Sequence, residues 1–261
     1  MENNEMIITI TGTGTSQGVP VIGCHCAVCI STDSKDKRLR SSIHVNHKNK
    51  SIVVDTGPDF RQQMLKYNVG QLDAVLFTHE HKDHVAGLDD IRPYNFKQKK
   101  SIDIFCSDNV FKALQREYIY IFDPKFSYPG IPKINRYSIN KNDSFLIGDV
   151  KIDPIEVLHY KLPVLGFRIN NFAYITDAKT IEKKEKEKLK NLDVLIINAL
   201  RKEEHISHLN LDQAVEMIQE LAPKKAYLTH ISHLMGKHDE VESTLPENIK
   251  IAYDGQQIKL S

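Results

Sequence analysis

The chain has 261 residues, longer than the usual domain of about 100–150 residues, a length that layered and barrel enzymes reach as one unit with a substantial core. Its 35 lysines and arginines nearly cancel its 34 aspartates and glutamates, and the formal charge of +1 gives no electrostatic reason to expect a long polyanion such as nucleic acid as partner. No segment approaches the roughly 18 consecutive apolar residues of a membrane span. The opening MENNEMIITITGTG lacks a basic stretch followed by an apolar run of signal-peptide length, so a soluble, cytoplasmic protein without membrane contact is expected.

In chain order, β-branched or aromatic runs read as strands at residues 6–11, 51–55, 73–78, 102–106, 151–158, 165–169, 172–176, 193–198 and 225–229. Amphipathic stretches at 60–67, 110–118 and 211–222 read as helices. In the last, Leu211, Ala214, Val215, Ile218, Leu221 and Ala222 recur at helical spacing. Strands alternating with helices in both halves predict an α/β layered architecture of two sheets with outer helices rather than an all-β sandwich. Residues 183–190 alternate Lys and Glu and read as a solvated helix face held by i,i+4 pairs. The segment 122–137 holds three prolines and a Pro-Gly step among aromatics, which reads as an ordered loop, either a connection or a lid. There is neither a solenoid-period repeat nor a Gly-, Ser- or Pro-rich linker long enough to divide domains.

The decisive feature is Thr78-His79-Glu80-His81-Lys82-Asp83-His84, directly after the apolar run Ala74-Val75-Leu76-Phe77. Imidazole and carboxylate are preferred ligands of zinc, manganese and iron, and a turn after a strand can aim alternate residues at two centres. His79 and His81 suit one metal, Asp83 and His84 the other. Further ligands then belong after other strands. His159 follows Glu156-Val157-Leu158, Asp177 follows Ala173-Tyr174-Ile175-Thr176, and His230 follows Ala226-Tyr227-Leu228-Thr229. Singly, a strand-end histidine is a surface or packing residue and an aspartate there is a turn former. Their repeated placement is what argues for a site.

The HxHxDH signature with later His, Asp and His at these intervals resembles the metallo-β-lactamase superfamily over nearly the whole chain. The resemblance implies a four-layer αββα sandwich formed by residues 1–261 as one hydrolase domain. Within that superfamily, Gly12-Thr13-Gly14-Thr15-Ser16-Gln17-Gly18-Val19-Pro20, Cys24-His25-Cys26-Ala27-Val28-Cys29 and Thr229-His230-Ile231-Ser232-His233 resemble the phosphoribosyl cyclic phosphodiesterase family of the carbon–phosphorus lyase pathway. The resemblance assigns His79, His81 and His159 to one divalent ion, Asp83, His84 and His230 to a second, and Asp177 to both, with zinc or manganese as the metal. It implies that Asp55 orients ligand imidazoles. It also implies that a histidine before the helix at 211–222, His208 in preference to His205, protonates a leaving oxygen, and it counts Asp83 as catalytic as well as a ligand.

Cys24, Cys26 and Cys29 crowd into six positions, a spacing that suits a metal better than disulfides in a reducing compartment. Three thiolates need a fourth ligand to close a structural zinc site; the resemblance offers His233. His25 reads as outward-facing and Cys106 as core. Residues 12–18 read as a tight turn beside the metals rather than a nucleotide loop, since no Gly-Lys-Ser/Thr follows. In the basic segment 35–40, Arg38 or Arg40 is a candidate to meet a substrate phosphate. The resulting expectation is a phosphodiesterase acting on a small, cyclic phosphodiester. Precursor-tRNA 3′ processing and a non-hydrolytic di-iron redox module are the alternatives, and a homodimer is compatible with the sequence.

Overall fold

The computed structural model describes residues 5–126 and 128–261; Ser127, within the proline-rich segment, and the first four residues lie outside that description. The chain runs β1 (Met6–Gly12), β2 (Ser42–His47), β3 (Lys50–Val54), α1 (Phe60–Lys66), β4 (Ala74–Leu76), α2 (Lys82–Val85), α3 (Arg92–Gln98), β5 (Ile102–Cys106), α4 (Asp108–Glu117), α5 (Ile119–Phe122) and β6 (Ile134–Ser138). It continues through β7 (Phe145–Ile147), β8 (Val150–His159), β9 (Leu162–Ile169), β10 (Phe172–Ile175), α6 (Lys183–Glu187), β11 (Val194–Asn198), α7 (Leu211–Leu221), β12 (Lys225–Thr229), α8 (His238–Glu242), β13 (Ile249–Ile251) and β14 (Gln257–Leu260).

The strands form two seven-stranded mixed sheets, ordered β14-β1-β2-β3-β4-β5-β6 and β13-β12-β11-β10-β9-β8-β7. In the first, β3 to β6 run parallel while β14, β1, β2 and β3 pair antiparallel. In the second, β10 to β13 are parallel and β7 to β10 antiparallel. The parallel strands are covered on both faces, which is why β4 and β11 are buried at every position and read as unbroken apolar runs.

Three apolar clusters define the layers. Ile8, Val45 and Ile52 of the first sheet meet Ile152, Phe167, Phe172 and Ile196 of the second between the sheets. Phe60, Met64, Val85 and Leu114 pack helices onto the outer face of the first sheet, and Ala214, Ile218 and Val241 do so on the second. This is the αββα sandwich that the sequence motifs imply. Helix α7 begins with a reciprocal cap, in which Asn210 Oδ1 accepts from Gln213 N at 2.9 Å and Gln213 Oε1 accepts from Asn210 N at 3.3 Å. It stops at Ala222, which is left-handed (φ 50°) and precedes Pro223.

Four expectations need correction. The 183–190 run is helical only over Lys183–Glu187 and is not all solvated: buried Glu185 accepts from Glu156 N at 3.0 Å and Lys188 Nζ at 2.8 Å, closing an amide of β8. The proline-rich segment ends in strand, because β6 begins at Ile134 and pairs with β5. Strands β2, β6, β7, β13 and β14 were absent from the expected set because polar residues interrupt them or because they are only three or four residues long. Arg38 is 4% exposed and inside the fold, donating to Thr13 Oγ1 at 2.8 Å and Ala252 O at 2.6 Å, so it meets no substrate.

His44 lies on β2 with Nε2 2.8 Å from Ser51 Oγ, and burial pushes its imidazole down from 6.5 to about 4. Between those values the unfolded chain takes up a proton that the folded chain refuses. His44 therefore contributes stability that is present above about 6.5 and lost as pH falls toward about 4. In urea melts across that window, His44→Gln is expected to have a shallower pH slope than the parent; identical slopes would contradict this account.

Candidate metal centre

The ligand-type residues gather where strands of both sheets end. After β4 the chain turns through Thr78 to His81, whose extended backbone starts α2 and so directs Asp83 and His84 back toward the sheet ends. His159 ends β8, Asp177 lies two residues past β10, and His230 directly follows β12. Asp55, Asp177 and His230 all have left-handed backbone, with φ of 65°, 57° and 57°. Such conformations cost about 1–3 kcal/mol each and persist where surrounding structure fixes them, commonly at functional sites.

Asp177 is the centre. Its Oδ1 lies 4.0 Å from His79 Nε2 and 3.9 Å from His208 Nδ1, while Oδ2 lies 3.3 Å from both His84 Nε2 and His230 Nδ1. Asp83 Oδ2 is 3.2 Å from His84 Nε2. Ligand atoms converge in three overlapping sets: His79, His84 and Asp177; Asp83, His84 and His230; His159, Asp177 and His208. His81 joins through ring contacts, its centroid 4.5 Å from His79 and 5.1 Å from His159. All seven expected residues thus come together, with His208 beside them. His205 sits 5.2 Å from His208 between ring centroids, further out and half-buried.

The outer nitrogens of these rings are fixed by the protein. His84 Nδ1 donates to Asp55 Oδ2 at 2.7 Å, and Asp55 also accepts from Thr78 N at 2.9 Å and Thr78 Oγ1 at 2.8 Å. His159 Nδ1 donates to Ser207 O at 2.8 Å, and His230 Nε2 lies 3.0 Å from Thr15 Oγ1. Each bond turns the opposite nitrogen inward, the arrangement by which metal-binding histidines are oriented. Asp55 therefore acts as expected, and the turn at 12–18 reaches the site through Thr15.

Sequence reasoning passed over two supports. Thr176 Oγ1 donates to Asp177 Oδ2 at 2.6 Å. Asn198 clamps the Asp177 turn, accepting from Ala178 N at 2.7 Å and donating to Ala178 O at 2.9 Å. The only sequence signal for Asn198 was a buried-type amide closing the apolar run of β11.

The donor set fits divalent cations. His79 Nε2, His84 Nε2 and His208 Nδ1 are buried and make no hydrogen bond to any described residue, an arrangement that native interiors avoid unless the atoms have another partner. Burial would raise the Asp177 carboxyl, but the imidazoles of His230, His84 and His79 outweigh it and hold it well below the ordinary carboxylate range. Burial would likewise lower His84, yet Asp177, Asp55 and Asp83 hold it well above the ordinary value. The cleft therefore attracts positive charge.

A second cluster lies alongside. The sulfurs of Cys24, Cys26 and Cys29 sit 3.3, 3.4 and 3.6 Å from His233 Nδ1, four ligand atoms disposed for one tetrahedral ion. The Cys29 amide and then His233 bring the Cys26 thiol down to about 6, whereas burial pushes Cys29 up to about 11. His25 is exposed and Cys106 buried, as expected.

Two outcomes follow for metal content. Asp55→Asn is expected to weaken metal retention against a competing chelator about 10- to 100-fold while the fold is kept; unchanged retention would remove Asp55 from the site. Cys26→Ser should lower metal by about one ion per chain in elemental analysis and reduce the Tm, since structural zinc binding is folding free energy. Full metal content in that variant would refute the Cys₃His assignment.

The beta-lactamase superfamily domain is matched over residues 50–231. An octanoyltransferase of Porphyromonas gingivalis is 40% identical over 248 residues, covering 94% of this chain and 50% of that protein, so this chain spans half the relative's length. The crystal structure of a new diphosphatase from the PhnP family superposes with a TM-score of 0.92 at 35% identity, over 98% of this chain and 97% of that one. Zinc-bound PqqB from Methylobacterium extorquens shares the fold, with a TM-score of 0.80 at 16% identity over 97% of this chain and all of that one (100%). Motif, layers and likenesses agree that the chain belongs to the metallo-β-lactamase superfamily of metal-dependent hydrolases and, within it, is PhnP-like.

Proposed function

We propose that the chain is a phosphodiesterase that hydrolyses a small phosphodiester at a dinuclear site. The observation that carries the proposal is the division of ligand atoms between the two oxygens of Asp177, with His79 facing Oδ1 and His84 and His230 facing Oδ2. In this reading His79, His81 and His159 hold one ion, Asp83, His84 and His230 the other, and Asp177 both. Imidazole and carboxylate suit zinc or manganese there, and thiolate suits zinc at the cysteine cluster. Ions held in the cleft would neutralise charge developing on phosphoryl oxygens and lower the pKa of water toward about 7.

The chain's own residues do the rest. Asp55, Ser207 and Thr15 fix the ring orientations of His84, His159 and His230, which preorganises that part of the cleft. His208 is 7% exposed and presents Nδ1 to the cleft, placing it to take the proton that the attacking water gives up and pass it to the leaving oxygen as the P–O bond breaks. Burial and then the neighbouring His230 bring its imidazole down to about 3, so it is neutral until a substrate anion enters and favours its charged form.

The near-zero net charge and the lack of a long Gly- or Lys-rich insertion favour a small substrate over precursor tRNA. Nothing in the sequence resembles the flavin partner that a di-iron redox module uses. The name of the 35% identical PhnP-family diphosphatase supports a second reading, cleavage of a phosphoanhydride by the same residues. The octanoyltransferase's name raises acyl transfer, which belongs to a protein twice this length.

A zinc- or manganese-loaded sample assayed against bis(p-nitrophenyl) phosphate, a cyclic ribose phosphate, a diphosphate, a thioester and precursor tRNA separates these readings. Turnover of a phosphodiester with modest salt dependence is expected; a defined tRNA cut with steeply salt-dependent binding would overturn the small-substrate reading. His208→Ala should lower turnover roughly 10²–10⁴-fold on an alkoxide leaving group, less on nitrophenolate, with metal content intact. Equal losses on both would argue against a general acid, and lost metal would make His208 a ligand instead.

A further inference from the structure

The outer face of the first sheet carries a groove that the metal centre does not use. It lies between α1 and the segment that leads into α3, and its volume of about 490 Å³ falls in the range of small-molecule sites. Its walls are apolar. Arg61 and Leu65, four residues apart, share one side of α1, and Leu65 is 61% exposed on the lip. Met64 and Val69 are buried beneath, and the ring of Tyr94 closes the other wall with its hydroxyl already donating to Val69 O at 2.7 Å. Arg61 and Asp90 stand at the starts of the two walls and offset one another in charge. Each wall is about the length of one seven-residue helix, roughly 10 Å.

At the far ends of the helices the groove opens into a second cavity of about 600 Å³, with Asn68, Val69, Gly70 and Lys97 lining both. The second cavity is polar and basic. Lys50 and Lys97 line it together with the amides of Asn46, Asn49 and Gln71, and no carboxylate among the described residues does so. Gly70 marks the junction. A Cβ there would meet Lys97 Nζ at 3.4 Å and Asn68 O at 4.0 Å and nothing nearer, so the Lys97 ammonium stands where the apolar and basic halves join. None of these residues belongs to the metal centre. Ser51, on the wall of the second cavity, lies near the start of β3 and Asp55 follows that strand, which sets the two sites four residues of strand apart, roughly 13 Å.

We propose that the joined cavities bind a small amphiphile with one alkyl chain and one anionic head group, the chain lying in the groove between α1 and α3 and the head among Lys50, Lys97 and the neighbouring amides. A groove alone would accept any apolar molecule, and a basic cavity alone any anion. Their meeting at Lys97 selects a molecule that is both. Removing the chain from water supplies affinity in proportion to its length, whereas the lysines and amide N–H groups supply the choice of head. Carboxylate, phosphate and sulfonate heads share the chemistry required. The site is independent of the phosphodiesterase reading, since it lies apart from the imidazole and carboxylate cage.

The test is calorimetry on the metal-loaded chain with hexane-, octane- and decanesulfonate, each below its micelle concentration, because a sulfonate is not hydrolysed and coordinates metals weakly. Decyltrimethylammonium is the matched cation, and methanesulfonate is the head without a chain. One decanesulfonate per chain is expected, with affinity rising about two- to fourfold for each added methylene. It should bind about tenfold or more tightly than decyltrimethylammonium, and methanesulfonate should not saturate. Lys50→Gln combined with Lys97→Gln should erase the preference for the anion and keep the dependence on chain length. Gly70→Leu, whose side chain enters the junction, should weaken decanesulfonate about tenfold with Tm and metal content unchanged; if it lowers the Tm instead, the lysine pair decides alone. No saturable binding, many molecules per chain, or equal affinity for the cation would overturn the proposal. So would a decanesulfonate affinity untouched by the lysine pair or by a stably folded Gly70→Leu, which would put the ligand elsewhere on the molecule.

Discussion

One fully buried carboxylate, Asp177, sets the terms for the rest of the structure. A charge taken out of water must be matched by charge or hydrogen bonds close by, and here the match is a cage of imidazoles drawn from four separate segments. Those segments can meet only because two mixed sheets stack with their β4, β8, β10 and β12 ends at one edge. The left-handed backbones of Asp177 and His230 are the local cost of aiming side chains back into that edge, and the Asn198 clamp and the Thr176 hydroxyl hold the Asp177 turn in place.

The N-terminal third of the chain is built around the same edge. Gly14 makes bridges to Arg40 and to Ile231, tying the opening turn to the end of β12. Thr13 donates to Asp254 Oδ1 at 2.7 Å and accepts from Arg38, while Leu39 N donates to Asp254 Oδ2 at 2.7 Å. Asp254 is half-buried, and desolvation pushes its carboxyl up to about 6. Three residues past His230, His233 meets the three cysteines, so the same strand end serves both clusters. An ion in the Cys₃His cluster would brace the wall that carries His230 without touching the chemistry.

The relatives bound the functional reading in a consistent way. Likeness to the PhnP-family diphosphatase extends over the whole of both chains, whereas likeness to the octanoyltransferase reaches half of that protein. Function lives in the site rather than in the fold. The weight therefore falls on the imidazole and carboxylate cage and on His208 facing into it.

What the sequence showed by itself was which ligand-type residues close its apolar runs and an α/β layering of two sheets with outer helices. His79, His81, Asp83 and His84 stand in one short turn, and a ligand-type residue closes each of three other apolar runs, a pattern legible because strand ends and ligand chemistry are both local properties of sequence. Long, unbroken runs such as β11 were legible for the same reason, since a strand covered on both faces has no polar alternation. Tertiary structure alone decided the rest. Arg38 and Arg40 sit two residues apart with similar local sequence, yet one is buried against Thr13 and Ala252 and the other is part-exposed and paired with Asp59, because Asp59, Ser16 and Ala252 come from distant parts of the chain. Glu185 likewise looked like one more solvated charge until the β8 amide it satisfies was brought beside it. Burial is set by long-range contacts, and those are written in no single stretch of residues.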